Sequence, residues 1–203
     1  MLVLAGATRL SAHRRDEFLQ AARIDVNPAR VQIELDLTPG IALAETILAD
    51  IDRNRDGSLA AEEQRAYRNL VLSALELEVD GTRLELEPGA SSFPGIDEVK
   101  RGEGTIRLHF AALLPRLAAG GHQLSFRNRH QRSHSVYLAN ALAPQSYQVT
   151  IAAQRRDLDQ TELTIDYVLR AAPGGSTAAW LVVALAVATA LSALLMRPLR
   201  ALR

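Results

Sequence analysis

Oxygen-bearing side chains recur at fixed spacing within residues 52–63. Counted from Asp52, they stand at positions 1, 3, 5 and 12, with glycine at position 6 and leucine at position 8. This is the spacing of an EF-hand calcium loop, in which alternate residues converge on one hard cation and glycine permits a sharp turn. The predicted metal ligands are Asp52, Asn54, Asp56, the carbonyl of Ser58 and Glu63. The alternative interpretation is a polar, Asx-rich turn that binds nothing.

An EF-hand loop requires a helix on each side, and the sequence predicts both. Thr38 is placed to cap the entering helix and Pro39 to begin it. Its apolar stripe is Leu43, Ile47 and Ile51. The exiting helix is predicted over residues 60–74, with the apolar face Tyr67, Leu70, Val71 and Ala74. We expect both faces to pack on a protein core rather than to form a groove for a partner.

The remainder of residues 18–169 alternates between apolar and polar positions, which is typical of strands with one wet face. Asp80-Gly81 predicts a tight β-hairpin and residues 27–30 a second hairpin turn. Residues 88–102 are predicted to be a loop, and residues 113–121 a connection with a helical turn. Nine strands are predicted, at 18–26, 31–37, 75–79, 82–87, 105–110, 123–129, 135–142, 147–153 and 163–169. The predicted fold is an antiparallel immunoglobulin-like β-sandwich with the EF-hand inserted at residues 39–74.

The two ends of the chain suggest export and membrane anchoring. Residues 177–196 carry no charge, and about twenty helical residues match the thickness of a bilayer core. Arg197, Arg200 and Arg203 follow, so the tail 197–203 is expected in the cytoplasm and the preceding domain outside it. A buried core helix is the alternative for this stretch. Residues 1–12 are predicted to be a truncated signal peptide. This leaves residues 13–172 as the extracytoplasmic domain and 173–176 as a linker.

Composition excludes several classes of function. The chain has no cysteine, which removes disulfides, thiolate metal sites and cysteine nucleophiles. Its 23 acidic residues all lie between residues 13 and 176, whereas four of its 23 basic residues lie outside that range. The predicted extracytoplasmic part is therefore acidic, which argues against general nucleic-acid binding. The sequence contains no nucleophile elbow, phosphate loop or HExxH motif, so we do not expect an enzyme.

Histidines supply the remaining candidate chemistry. His122, His130 and His134 lie close together in the sequence, among three arginines. With His13 they suggest an alternative site for nickel, cobalt or zinc, although the spacing matches no standard motif and the arginines would repel a cation. The same basic cluster could face anionic phospholipid or an acidic partner, and a solvated polar face is the simplest interpretation.

Several stretches resemble a group of bacterial exported EF-hand proteins. They are residues 12–21, residues 31–40, the DxNxDGxL loop with Glu63, residues 127–130 and residues 136–142. The resemblance implies a signal peptide, a β-rich periplasmic domain with one EF-hand, and a C-terminal anchor in the bacterial inner membrane. The part up to Gly40 is more distantly similar to the extracytoplasmic part of HupE/UreJ-type nickel/cobalt permeases.

The function expected from these observations is a membrane-anchored, extracytoplasmic protein that binds one calcium ion in a structural or interaction role. Arg53 and Arg55 reduce the negative potential of the loop, so we expect weak affinity, with a Kd on the order of 10⁻⁴ to 10⁻³ M. One alternative is an accessory component of a nickel or cobalt transport system. Another is a module with a vestigial loop that binds a neighbouring membrane protein.

Overall fold

The computed structural model describes residues 16–171, which are mainly β, with ten strands and three helices. Apart from Ala171, all of them belong to one compact unit, Met1–Arg170. The strands are β1 Phe18–Val26, β2 Arg30–Pro39, β3 Leu75–Val79, β4 Thr82–Arg83, β5 Glu87–Ser92, β6 Ile106–Leu113, β7 Gly120–Asn128, β8 Ser135–Ala141, β9 Val149–Arg156 and β10 Glu162–Leu169. The helices are α1 Ala44–Ile51, α2 Ala61–Ser73 and α3 Ile96–Lys100.

The strands form two five-stranded sheets. The order in the first sheet is β5-β6-β2-β1-β8, and in the second it is β4-β3-β7-β10-β9. Every pairing is antiparallel except that of β1 with β8, which is parallel. The expectation of a wholly antiparallel arrangement therefore needs this one correction. Parallel strands are not joined by a tight hairpin whose turn could be recognised in the sequence, and β1 and β8 lie more than a hundred residues apart.

One hydrophobic core receives the apolar side chains of both sheets. Alternate residues of β1, β2, β3, β6, β7 and β10 are buried, as the period of two in their sequences predicts. Ile33 of β2 and Leu77 of β3 are both fully buried in this cluster. Ile51 of α1 and Tyr67 of α2 join it, so the two helices are fastened to the sheets by their apolar faces.

The tight turns are the features of the fold that the sequence predicts best. Asp80 and Gly81 both have positive φ, and Val79 pairs with Thr82 across them, which confirms the predicted tight hairpin. The turn at residues 27–30 is also confirmed, because β1 and β2 pair up to Val26 and Val31.

Residues 88–102 are not simply a loop, and that prediction is wrong. They contain most of β5 and all of α3. The sequence of β5 is EPGASS and all of its residues are exposed, so it lacks the apolar alternation that marks a strand. Backbone pairing with β6 defines it instead. The predicted connection at 113–121 contains no helical turn, and its double glycine begins β7.

The start of the entering helix is a second correction. Pro39 ends β2 opposite Phe18 instead of beginning a helix, and α1 begins at Ala44 after the turn at residues 40–43. Pairing with β1 is the stronger influence, since Thr38 and Pro39 both continue the register of that ladder. The predicted exiting helix is confirmed to within a residue at each end, but Leu70 of its stripe is 41% exposed.

Four predicted segments lie outside the described residues, namely the signal peptide at 1–12, the linker at 173–176, the membrane span at 177–196 and the tail at 197–203, and so does His13. Within residues 16–171, no helix is both long enough and apolar enough to cross a bilayer.

Candidate metal centre

Two helices that are anchored in the core present the loop Asp52–Glu63 at the surface. Helix α1 ends at Ile51, and the Asp52 N–H continues its ladder by donating to the Leu48 carbonyl at 2.8 Å. Helix α2 begins at Ala61, just before the end of the loop. Ile51 and Tyr67 are fully buried, so the backbone that enters and leaves the loop is held in place by packing.

The Asp52 carboxylate organises the first half of the loop. Its Oδ1 accepts the Asp56 N–H at 3.2 Å and its Oδ2 accepts the Gly57 N–H at 3.1 Å. Gly57 has a φ of 79°, a conformation that costs glycine nothing and strains other residues. Arg55 has a φ of 58° and lacks that freedom, so it carries a local conformational cost.

Asn54, Asp56 and Ser58 are joined by short side-chain bonds. The Asn54 Oδ1 accepts the Asp56 N–H at 2.9 Å, and its Nδ2 donates to Asp56 Oδ2 at 2.9 Å. Asp56 Oδ1 accepts both the hydroxyl and the backbone N–H of Ser58 at 2.8 Å. The bonds from Ser58 first, and then the Asn54 amide, hold the pKa of Asp56 below its usual range. Asp56 is therefore ionised at neutral pH, as a calcium ligand must be.

Glu63 reaches back across the loop from the first turn of α2. Its Oε1 accepts the N–H groups of Arg53 at 3.0 Å and Asn54 at 3.3 Å, and its Oε2 accepts the Ala60 N–H at 3.1 Å. Ala60 is the N-cap of α2 and has no side-chain acceptor, so Glu63 provides the capping contact. This side chain therefore joins the two ends of the loop.

The structure thus brings the predicted ligand residues together in one hydrogen-bonded loop, but not into a finished coordination sphere. Within residues 16–171, no three His, Cys, Asp or Glu side chains are placed to hold a metal ion. The carboxylates of Asp52, Asp56 and Glu63 accept N–H groups instead, and two of the predicted donors are an amide and a backbone carbonyl. A carboxylate oxygen has two lone pairs, so both oxygens of Asp52 and Oε2 of Glu63, which each accept one N–H, keep capacity for a cation. Glu63 Oε1 and Asp56 Oδ1 accept two donors each and would have to release one.

When two EF-hands associate, their position-8 residues pair in a short strand. Leu59, the position-8 residue here, lies in no strand. Leu59 is half-buried against the core, and the Gln64 side chain donates to its carbonyl at 2.7 Å. Within this chain, the Leu59 carbonyl is therefore held by the helix that follows it and not by a strand. An open cleft of about 420 Å³ beside the loop is lined by Leu48, Asp52, Gly57 and Ile96, and it gives solvent access to the ligand side.

A buried polar network fastens the helix pair to the sheets, and sequence reasoning missed it. The Tyr67 hydroxyl of α2 lies 3.2 Å from His130 Nε2, and both residues are buried. The His130 N–H donates to Asn128 Oδ1 at 2.9 Å, and Asn128 Nδ2 donates to Gln20 Oε1 at 2.8 Å. Burial lowers the pKa of His130 to about 4, so the imidazole is neutral at physiological pH.

Among the described residues, the structure does not bring His122, His130 and His134 together into a metal site. His122 Nδ1 is 2.7 Å from Asp80 Oδ2 and its Nε2 is 2.8 Å from the Ala118 carbonyl. That carbonyl first, and then the Asp80 carboxylate, raise the pKa of His122. His130 is buried against Tyr67, and His134 is exposed. The alternative of a nickel or cobalt site at His122, His130 and His134 therefore gains no support from this arrangement.

Comparison of the chain with protein-family models, with curated proteins and with solved structures finds no match.

Proposed function

We propose that this chain is a membrane-anchored, extracytoplasmic calcium-binding protein with one EF-hand, in a structural or interaction role and not a catalytic one. The observation that carries the proposal is the loop itself. Asp52 bonds to the N–H groups at positions 5 and 6, Gly57 supplies the positive φ at position 6, and Glu63 folds back from position 12. A polar turn with no ion to bind has no need for all three features at this spacing.

The proposed fold is an immunoglobulin-like β-sandwich with an EF-hand inserted between β2 and β3. The shared core of the two five-stranded sheets supports it, because a sandwich buries one face of each sheet against the other. The insertion is supported by α1 and α2, which flank the loop and follow β2 directly in the chain.

The residues fit a calcium ion in their chemistry. Asp52, Asn54, Asp56, the Ser58 carbonyl and Glu63 provide only oxygen donors, which a hard cation requires. Calcium would replace backbone N–H groups as the partner of part of this set, chiefly of Glu63. When bound, its two positive charges would offset most of the negative charge of the three neighbouring carboxylates.

Calcium bound here is expected to stabilise the whole domain and not only the loop. Helix α1 is joined to the β7–β8 loop by Gln131 Nε2, which donates to Asp50 Oδ2 at 2.7 Å. Helix α2 is joined to the same loop through Tyr67 and His130. Unfolding of the helix pair would leave these buried groups without partners, so the helices and the sheets should unfold together.

The membrane part of the proposal rests on the uncharged stretch 177–196, the arginines after it and the small, apolar residues 1–12. By the positive-inside rule, this arrangement puts the loop outside the cytoplasm, in the periplasm of a bacterial cell. Calcium can be plentiful there, and a weak site is then sufficient.

Thermal unfolding of the full chain in mild detergent tests the proposal. At about 10 mM calcium, a Kd of 10⁻⁴ to 10⁻³ M stabilises the folded state by about 1.4–2.7 kcal/mol. For a chain of this size that is a rise in Tm of about 3–10 °C over the value with chelator. Superimposable curves in calcium and in chelator would rule out the proposed calcium role.

A further inference from the structure

The end of the domain at which the chain leaves β10 has a distinctive surface. Strand β10 ends at Leu169, which pairs with Gly120 at the start of β7 and with Val149 at the start of β9. The Arg170 N–H then donates to the Gln148 carbonyl at 2.7 Å, which fixes the exit point of the chain.

The first sheet reaches the same end of the domain. Residues 114–119 connect the end of β6 to the start of β7, and residues 142–148 connect the end of β8 to the start of β9. Both connections are short, so the ends that they join must be close together. The turn between β1 and β2 belongs here too, because the Leu114 N–H donates to the Ala29 carbonyl at 2.9 Å.

Large apolar side chains are exposed at this end. Leu113, the last residue of β6, is 75% exposed, and Tyr147, next to the exit point, is 65% exposed. Burial in the core explains neither residue. Tyrosine is favoured at the interface between water and lipid, where the phenol keeps its hydroxyl hydrated, and an exposed leucine can enter the apolar side of that interface.

The charge at this end is positive. Arg30, Arg116 and Arg170 are exposed here, and the connections 27–30, 113–119 and 142–148 contain no Asp or Glu. The carboxylates of Asp25 and Asp80 also lie at this end: Asp25 Oδ2 accepts the Asn27 side-chain amide, and Asp80 accepts the Gln123 N–H and faces His122. The proposed calcium loop lies at the opposite end, since it is inserted between the end of β2 and the start of β3. The three arginines and the proposed calcium loop therefore lie at opposite ends of the strands.

The length of chain beyond β10 limits what this surface can face. Only residues 171–176 separate Arg170 from the predicted membrane span. Even fully extended, that segment reaches about 25 Å. The exit end is thus tethered to the bilayer at a high effective concentration, so weak individual contacts with lipid are sufficient for docking.

We propose that this exit surface, defined as Arg30, Leu113, Arg116, Tyr147 and Arg170, docks on the anionic phospholipid of the membrane that anchors the chain. The proposal rests on the membrane anchoring proposed above and is independent of calcium binding. The arginines face lipid phosphates, Leu113 and Tyr147 enter the headgroup region, and the calcium loop is held away from the membrane.

The chain has no cysteine, so single labels can test this directly. Full-length Leu113→Cys carries a fluorophore and is placed in nanodiscs with or without anionic lipid, and quenching by aqueous iodide is measured. Leu158→Cys is the matched control, since Leu158 is fully exposed in the turn between β9 and β10, at the other end of the domain. We expect anionic discs to shield the label at position 113 at least fivefold relative to discs without anionic lipid and to leave the label at position 158 unchanged.

A second variant tests the charge. Adding Arg116→Gln to Leu113→Cys should weaken docking about fivefold, because each basic residue near an anionic leaflet contributes about that factor. Equal quenching of the two labels in anionic discs would overturn the proposal. So would shielding in native membranes that is absent from pure lipid, since that outcome indicates a protein partner.

Anchoring is scored separately by extraction of membranes with alkaline carbonate. A chain that resists extraction but shows an unshielded label at position 113 is anchored without docking, which overturns the docking proposal alone. A chain released by carbonate overturns the anchoring and the docking together.

Discussion

Replacing Glu63 by glutamine distinguishes the two roles of this side chain, as a calcium ligand and as the capping group of α2. The Glu63 carboxylate accepts the N–H groups of Arg53, Asn54 and Ala60. Glutamine keeps the size and one acceptor oxygen, so part of the cap is retained. It loses the negative charge and the second acceptor oxygen that bidentate calcium binding requires.

The expected magnitudes differ between the two roles. In chelator, weaker bonds to the loop N–H groups should cost about 0.5–1.5 kcal/mol in Glu63→Gln. In calcium, a hundredfold loss of affinity leaves at most about 0.4 kcal/mol of the 1.4–2.7 kcal/mol expected for the native chain at about 10 mM calcium. The rise in Tm caused by calcium should therefore almost disappear.

Glu62→Gln is the matched control in the same assay of Tm with calcium and with chelator. It removes the same charge one residue earlier, where the side chain is exposed and, among residues 16–171, pairs with Arg65 at 3.6 Å. We expect this variant to keep the full calcium-dependent rise. The reasoning is refuted if Glu63→Gln keeps it too, since Glu63 would then act only as a cap for α2.

Three further predictions concern the loop and the network beneath it. Arg55→Gly should raise the free energy of unfolding by about 0.5–1 kcal/mol in urea, because Arg55 has a positive φ, whereas Arg53→Gly, where φ is negative, should not. Between about pH 6.5 and 4 the unfolded chain protonates His130 while the folded chain does not, so stability that is complete above pH 6.5 should fall by up to about 3 kcal/mol. His130→Gln should flatten that pH profile and His134→Gln should not. Tyr67→Phe leaves His130 Nε2 without its partner, so it should cost about 1–3 kcal/mol, and an unchanged urea midpoint would contradict the contact.

Features that depend on a few neighbouring residues could be read from the sequence. The hairpin at Asp80-Gly81 needs only two residues of positive φ between alternating segments, and it forms as predicted. The helices around the loop were predictable from their apolar period, which puts Ile47, Ile51, Tyr67 and Val71 in the core. Each of these features depends on no more than about fifteen consecutive residues of the chain.

Features that depend on distant partners could not be read in this way. Gln20 donates to the His130 carbonyl, which lies 110 residues away, and its burial depends wholly on that network. Strand β5 exists because β6 presents an edge to it, and Gly89 allows close approach, since an added Cβ would lie 3.2 Å from the His109 carbonyl oxygen. Pro39 has the properties of a helix start, but the β1 ladder holds it in a strand. Tertiary pairing overrides local preference in each case.

The candidate site shows the same division. Its residues and their spacing are local, so the sequence alone is enough to propose them. Their side-chain conformations depend on which partner is present, and here the three carboxylates accept loop N–H groups. Whether calcium replaces those groups depends on the difference between two sets of contacts, and the sequence pattern does not contain that difference.

Titration calorimetry of the full chain with calcium, and separately with nickel, tests the central claim most directly. We predict one calcium ion per chain, with a Kd on the order of 10⁻⁴ to 10⁻³ M, and loss of that binding in Glu63→Gln. Absence of saturable calcium binding would contradict the claim, as would nickel that binds more tightly than calcium and is unaffected by Glu63→Gln.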